Sequence, residues 1–190
     1  MRPKLLTLGG IAVAGGAALI AGSQTWVSFM LEGTHSLEQL TGHELNSALS
    51  PVAIAIVAAA LALTIAGTVF RRVLGGLVFL LGAGLAALSL SVVSAPLGAV
   101  SGRLTELTGI VGGGSEAALS WIEVSAAGYV SVAAGVLAAL LGIVAVVTGG
   151  KWAAAGRRYD SAPQRVDTSG DRISEWDALS EGHDPSEDIR

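Results

Sequence analysis

Four stretches of this chain, residues 5–23, 50–70, 73–94 and 127–148, run without a single Asp, Glu, Lys, Arg or His. Each is close to the roughly 20 apolar residues that a helix needs to cross a bilayer core. Length selects helix over strand, because membrane strands are about half as long and alternate. Hydrocarbon offers no water to unpaired backbone groups, so each span must close its own hydrogen bonds. The pattern predicts an all-α membrane protein. Its first part is a four-transmembrane-helix bundle over residues 1–150, and residues 151–190 form a largely disordered cytoplasmic tail.

Residue types at the run ends refine this. Ser50 before Pro51 reads as a helix start, with proline at the first helical position. The turn between the second and third spans falls at Arg71-Arg72, which makes those spans antiparallel neighbours. Pro96 and Gly98 end the third span, and Gly149-Gly150 stops the fourth. Trp26, Trp121 and Trp152 fall near the expected interfaces, where an amphipathic indole is favoured. The first run has a second reading. Basic residues, an apolar core and Ala21-Gly22-Ser23 also resemble a cleavable secretory signal, although the run is longer than the usual signal core of about 7–15 residues.

Charge then sets the orientation. Arg2, Lys4, Arg71, Arg72, Lys151, Arg157 and Arg158 fall on one side of a four-span chain. The opposite loops carry Glu32, Glu38, Glu44, Glu106, Glu116 and Glu123, with Arg103 as their one base. The positive side faces the cytoplasm, so both termini are cytoplasmic in a multi-pass protein of the cytoplasmic membrane. The chain is 52% hydrophobic and 14% charged, against about 25% charged for a soluble domain. The formal charge of −4 comes with no clustered basic face, which argues against a nucleic-acid partner. The chain has no Cys, which excludes disulfides and thiolate chemistry.

Small residues recur along the spans at seven-residue spacing. Gly128, Gly135, Gly142 and Gly149 form a strict series in the fourth, with Ser131, Ala138 and Ala145 between them. Gly9, Gly16 and Ser23, then Ala53, Ala60 and Gly67, then Gly75, Gly82 and Ser89 repeat the spacing in the other three. Burying Leu drives no association among lipid tails; close packing does, and small residues permit it. A heptad seam keeps to one side of a left-handed crossing. The glycines of the fourth span are therefore candidate helix-packing positions, within one chain or between copies in a homo-oligomer.

Candidate chemistry is sparse. No group in the spans titrates near neutrality, which argues against an ion-coupled pump. His35 and His43 lie near Glu32, Glu38 and Glu44, but without His-Glu-x-x-His spacing or a third histidine, so no metal site is expected. Gly112-Gly113-Gly114 lacks the strand–loop–helix context of a phosphate loop. No catalytic or cofactor-binding residue emerges. Trp26-Val27-Ser28-Phe29 reads as a short strand or an interfacial segment. Leu119, Ile122 and Val124 around Trp121 read as a segment lying on the outer membrane surface. In the tail, Ile173, Trp176 and Leu179 recur every three residues within a short amphipathic segment near 171–182, a candidate docking stripe for a protein partner.

Several local patterns combine on this frame: Ser23-Gln24-Thr25-Trp26-Val27, Leu40-Thr41-Gly42-His43-Glu44-Leu45, Ala48-Leu49-Ser50-Pro51, Arg71-Arg72 before Gly75, and Trp176-Asp177-Ala178-Leu179 with Gly182, Asp184 and Pro185. In that order the chain resembles the tryptophan-associated transmembrane protein family of actinobacteria, whose members are often encoded beside tryptophan-biosynthesis genes. The resemblance implies a link to tryptophan metabolism and brings no reaction and no catalytic residues. The expectation is a non-enzymatic accessory or scaffolding membrane protein that uses its tail or external loops to contact a partner. The alternative is a small oligomeric transporter or exporter component for an aromatic metabolite such as tryptophan.

Overall fold

The computed structural model describes residues 2–31, 37–109 and 119–151. The tail stripe of Ile173, Trp176 and Leu179 lies outside the described residues, as do His35, Gly112-Gly113-Gly114 and Trp152. The elements run α1 (Arg2–Ser23), β1 (Thr25–Leu31), β2 (Leu37–Thr41), the one-turn α2 (Gly42–Leu45), α3 (Leu49–Ile65), α4 (Thr68–Ser94), α5 (Pro96–Thr108), β3 (Leu119–Val124) and α6 (Ala126–Thr148). A short 3-10 turn, Gly149–Lys151, follows α6.

Three helices are long and apolar enough to cross a membrane: Lys4–Ser23, Thr68–Ser94 and Ala126–Thr148. α3 is shorter, at 17 residues; at 1.5 Å per residue it spans about 26 Å. α1 packs on α3 and α6, and α4 packs on α6 and α3, so the four helices close a ring. Their outward faces are apolar. Leu6, Val13, Ile20, Leu61, Val69, Leu80 and Val147 are all strongly exposed, while the inward faces hold many small residues such as Ala14, Ala53, Ala60, Ala138 and Ala145. This distribution suits lipid as the solvent, where close approach rather than burial of large side chains drives packing.

The helix boundaries differ from the hydropathy pattern at the second connection. The chain turns at Ala66-Gly67, both extended, rather than at Arg71-Arg72, which lie inside the first turns of α4. Apolar residues flank this turn on both sides, so hydropathy cannot mark it; the backbone of Gly67 does, by accepting from Arg71 N at 2.9 Å. Nor does Ser50 cap α3. The helix begins two residues earlier, at Leu49, and Asn46 Oδ1 instead accepts from Ala48 N at 3.0 Å. α4 does end at Ser94, just before Ala95-Pro96, but Pro96 also opens α5, where its missing N–H costs no hydrogen bond, and Gly98 lies inside that helix.

The all-α expectation is corrected by a three-stranded antiparallel sheet of order β2-β1-β3. Both loops on that side of the bundle contribute to it. β1 pairs with β2 from Thr25 opposite Thr41 to Met30 opposite Leu37, and with β3 from Val27 opposite Val124 to Leu31 opposite Leu119. The segment around Trp121 is therefore an edge strand of this sheet. Val27 and Phe29 of β1 are fully buried and share one hydrophobic cluster with Val100 and Leu104 of α5 and with the bundle core.

Trp26 is also corrected. It is fully buried rather than interfacial, and its indole Nε1 donates to Ala21 O at 2.8 Å. A Cβ on Gly42 would fall 2.5 Å from Trp26 Cε2, and one on Gly128 would fall 3.6 Å from its Cδ2. The indole thus fills space that Gly42 leaves open and lies in ordinary van der Waals contact with the Gly128 position. Beside it, Ser125 N donates to Trp26 O at 2.7 Å, and the Ser125 hydroxyl donates to Thr25 O while accepting from Ala127 N. These bonds tie the sheet, which together with α2 and α5 forms a cap on this end of the bundle, to the first turn of α6.

Candidate functional site

Three places carry specific geometry: the α4–α6 seam, the end of the bundle around Arg71, and a cleft in the cap. In the seam, the seven-residue series of α6 meets the series of α4 running the other way. A Cβ on Gly142 would lie 2.5 Å from Phe79 N and 2.9 Å from Gly75 O; one on Gly135 would lie 2.6 Å from Ala86 N and 2.9 Å from Gly82 O. From the other side, a Cβ on Gly75 would meet Gly142 O at 3.1 Å. These are backbone contacts that a side chain cannot share. Gly128 faces Val93 Cγ2 at 2.7 Å, and Gly149 faces the Arg71 stem at 3.1 Å. Between the glycines, the buried hydroxyls of Ser89 and Ser131 hydrogen-bond at 2.9 Å. By contrast, a Cβ on Gly9 or Gly16 of α1 would meet nothing within 4 Å.

At one end of the bundle, Arg71 is 2% exposed. Its Nη1 donates to Gly149 O at 2.9 Å and its Nη2 to Ala66 O at 2.7 Å. Ala66 and Gly149 are the C-terminal caps of α3 and α6, so one guanidinium answers the carbonyl ends of two helices. Lys4 Nζ reaches Thr64 O at 3.4 Å at the same end. Arg71 stands in the sequence as one of several topology-setting bases; the structure gives it a buried structural role as well.

The cleft lies at the opposite end, in the cap; it is open to one side and has a volume of about 450 Å³. One wall is β2 and α2, with Glu38, Gln39, Leu40, Glu44 and Leu45; the other is α5, with Ala99, Gly102, Arg103 and Glu106. α5 presents these residues because Val100 and Leu104, one turn apart, are buried against the core. Arg103 Nη1 donates to Glu106 Oε2 at 2.9 Å, and Nη2 lies 3.8 Å from Glu38 Oε2 across the cleft. The Glu106 hydrogen bond pushes the Arg103 guanidinium up from its ordinary value. Glu44 belongs to a reciprocal capping box. Its Oε2 accepts from Thr41 N and from the Thr41 hydroxyl, each at 2.8 Å, while Thr41 Oγ1 accepts from Glu44 N at 3.4 Å. Those Thr41 bonds hold the Glu44 carboxyl below its ordinary 4.5. His43 turns away from Glu44 and packs its ring on Gly22, with Nε2 buried and unpaired.

Sequence reasoning missed the cleft, although part of it was readable. Thr41-x-x-Glu44 is a capping-box signature, and Val100 and Leu104 have helical spacing. Nothing in the sequence shows that Glu38 and Arg103 face each other. Among the described residues no group of three or more His, Cys, Asp or Glu is placed to hold a metal ion.

Long apolar helices with lipid-suited outer faces, gripping one another through glycine, define a multi-pass membrane protein. The family model for the tryptophan-associated transmembrane protein matches residues 8–186, nearly the whole chain, and the chain belongs to that family. No curated protein and no solved structure matches it.

Proposed function

We propose that this protein is a non-enzymatic accessory or scaffolding component of the cytoplasmic membrane, linked to tryptophan metabolism. In this reading α3 completes a four-span bundle, both termini are cytoplasmic, and the cap faces outward. A span of about 26 Å is short for a core of about 30 Å, and local thinning with snorkelling of flanking bases accommodates such a mismatch. Lys4, Arg71 and Arg72 at one end of the bundle and Glu38, Glu44 and Glu106 at the other support the orientation. Reporter fusions test it: cytoplasmic-type activity is expected after Lys151 and external-type activity within 110–118. The reverse pattern would overturn the orientation.

The observation that carries the scaffolding reading is the α4–α6 seam. Helices locked backbone to backbone suit a rigid platform better than a moving gate, and the specific chemistry then belongs to the cap and the tail. The partner docks on Ile173, Trp176 and Leu179 of the tail. Crosslinking and pull-down from native membranes should capture a protein with the intact chain and lose it with Trp176→Ala plus Leu179→Ala. Identical captures would refute tail docking. Tryptophan uptake and efflux should match the parent in a deletion strain; altered flux would favour a transporter instead.

A further inference from the structure

We propose that the cleft between α5 and the β2–α2 segment binds the head of a small zwitterion, an α-amino acid with an apolar side chain. A guanidinium has five N–H donors in a fixed fork that fits a carboxylate. Arg103 commits one to Glu106 at 2.9 Å, and Glu38 stands off at 3.8 Å, which leaves donors for an incoming carboxylate. Glu38 and Glu44 stand on the opposite wall, and Glu44 engages Thr41 through Oε2 alone. Three carboxylates against one guanidinium leave an excess of negative charge beside Arg103. A simple anion would meet the surplus carboxylates, and a simple cation would leave the free guanidinium donors unmatched. A ligand carrying ammonium and carboxylate on adjacent atoms satisfies both. Leu40, Leu45 and Ala99 supply the apolar part of the lining. At about 450 Å³ the cleft falls within the range of small-molecule sites, too small for a folded partner. Both walls come from the cap, so the site does not depend on the tail or on the scaffolding reading.

The test is calorimetric titration of the detergent-purified full-length protein with L-leucine, L-phenylalanine and L-tryptophan, each also as its amide and its N-acetyl derivative. At least one free amino acid should bind. Its amide lacks the carboxylate and its N-acetyl form lacks the ammonium, so each should bind about tenfold more weakly or worse. Arg103→Gln should weaken the free amino acid by a similar factor and leave the amide unaffected. Gly102 lines the cleft and a Cβ there meets nothing within 4 Å, so Gly102→Val narrows the cleft without touching a charge and should also weaken binding about tenfold. Unchanged melting temperatures for both variants establish that they fold. The proposal is overturned by no binding of any free amino acid at millimolar concentration, by amides binding as well as acids, or by undiminished binding in Gly102→Val.

Discussion

Gly82 and Gly135 are pressed against each other's backbone: a Cβ on Gly82 would lie 2.8 Å from the Gly135 carbonyl oxygen, and one on Gly135 would lie 2.9 Å from the Gly82 carbonyl oxygen. The contact is reciprocal and involves no flexible atom that could yield. Gly135→Ala and Gly82→Ala should therefore each destabilise the helix pair by about 1–3 kcal/mol, since overpacking forces the backbones apart. Gly135→Leu and Gly142→Leu should do so more severely. Gly9→Ala and Gly16→Ala, which meet nothing, serve as controls and should fall within about 0.5 kcal/mol of the parent. Unfolding by denaturant titration in mixed micelles checks the series, and a Gly135→Ala protein as stable as Gly16→Ala would remove the claim that this contact holds the pair together.

Ser89 and Ser131 lie in the same seam, and their hydroxyls form one of its polar contacts. A hydroxyl in a membrane helix that loses its partner can bond back to its own preceding turn, so the net worth of such a pair is small. A double-mutant cycle of Ser89→Ala and Ser131→Ala should give a coupling near 0.6 kcal/mol, the average for interhelical hydrogen bonds in a membrane protein. A coupling indistinguishable from zero would mean that the pair is incidental to the seam.

The three long apolar helices were readable because they rest on local composition, as was the glycine spacing. An uncharged run marks a helix, and Gly128, Gly135 and Gly142 mark a face, whatever lies elsewhere. What the sequence hid depends on two distant segments meeting. Val27 becomes a central strand residue because Leu40 and Val124 flank it, the latter nearly a hundred positions away. Trp26 looks interfacial by residue type; only the space left by Gly42 makes it a buried wedge. The Ala66-Gly67 turn is hidden for another reason: in lipid a helix end inside an apolar run carries no hydropathy signal.

Arg71 offers the clearest separation of structural from topological roles. Its guanidinium meets Ala66 O and Gly149 O at two helix ends while almost fully buried. Arg71→Leu keeps bulk but leaves both carbonyls without that donor, at roughly 1–3 kcal/mol for each buried group. Lys places a single ammonium and should recover only part of the loss. Arg72→Ala, at an exposed position, should be close to neutral in the same assay. Equal effects of Arg71→Leu and Arg72→Ala would show that the two arginines act only as topology charges.

The capping box at Thr41 and Glu44 predicts how the cap responds to acid. Hydrogen bonds from Thr41 hold the Glu44 carboxyl below 4.5 in the folded protein. Its contribution is therefore complete above that value and is lost as the pH falls through the lower, folded-state value. Amide exchange at Thr41–Leu45 should be constant from neutral pH down to about 4.5, once corrected for intrinsic rates, and should then accelerate. Glu44→Gln should abolish that acid step. Thr41→Ala removes the side-chain half of the box, and should raise exchange at every pH by an amount matching about 1 kcal/mol. An acid step that persists unchanged in Glu44→Gln would refute the assignment of that step to the capping box.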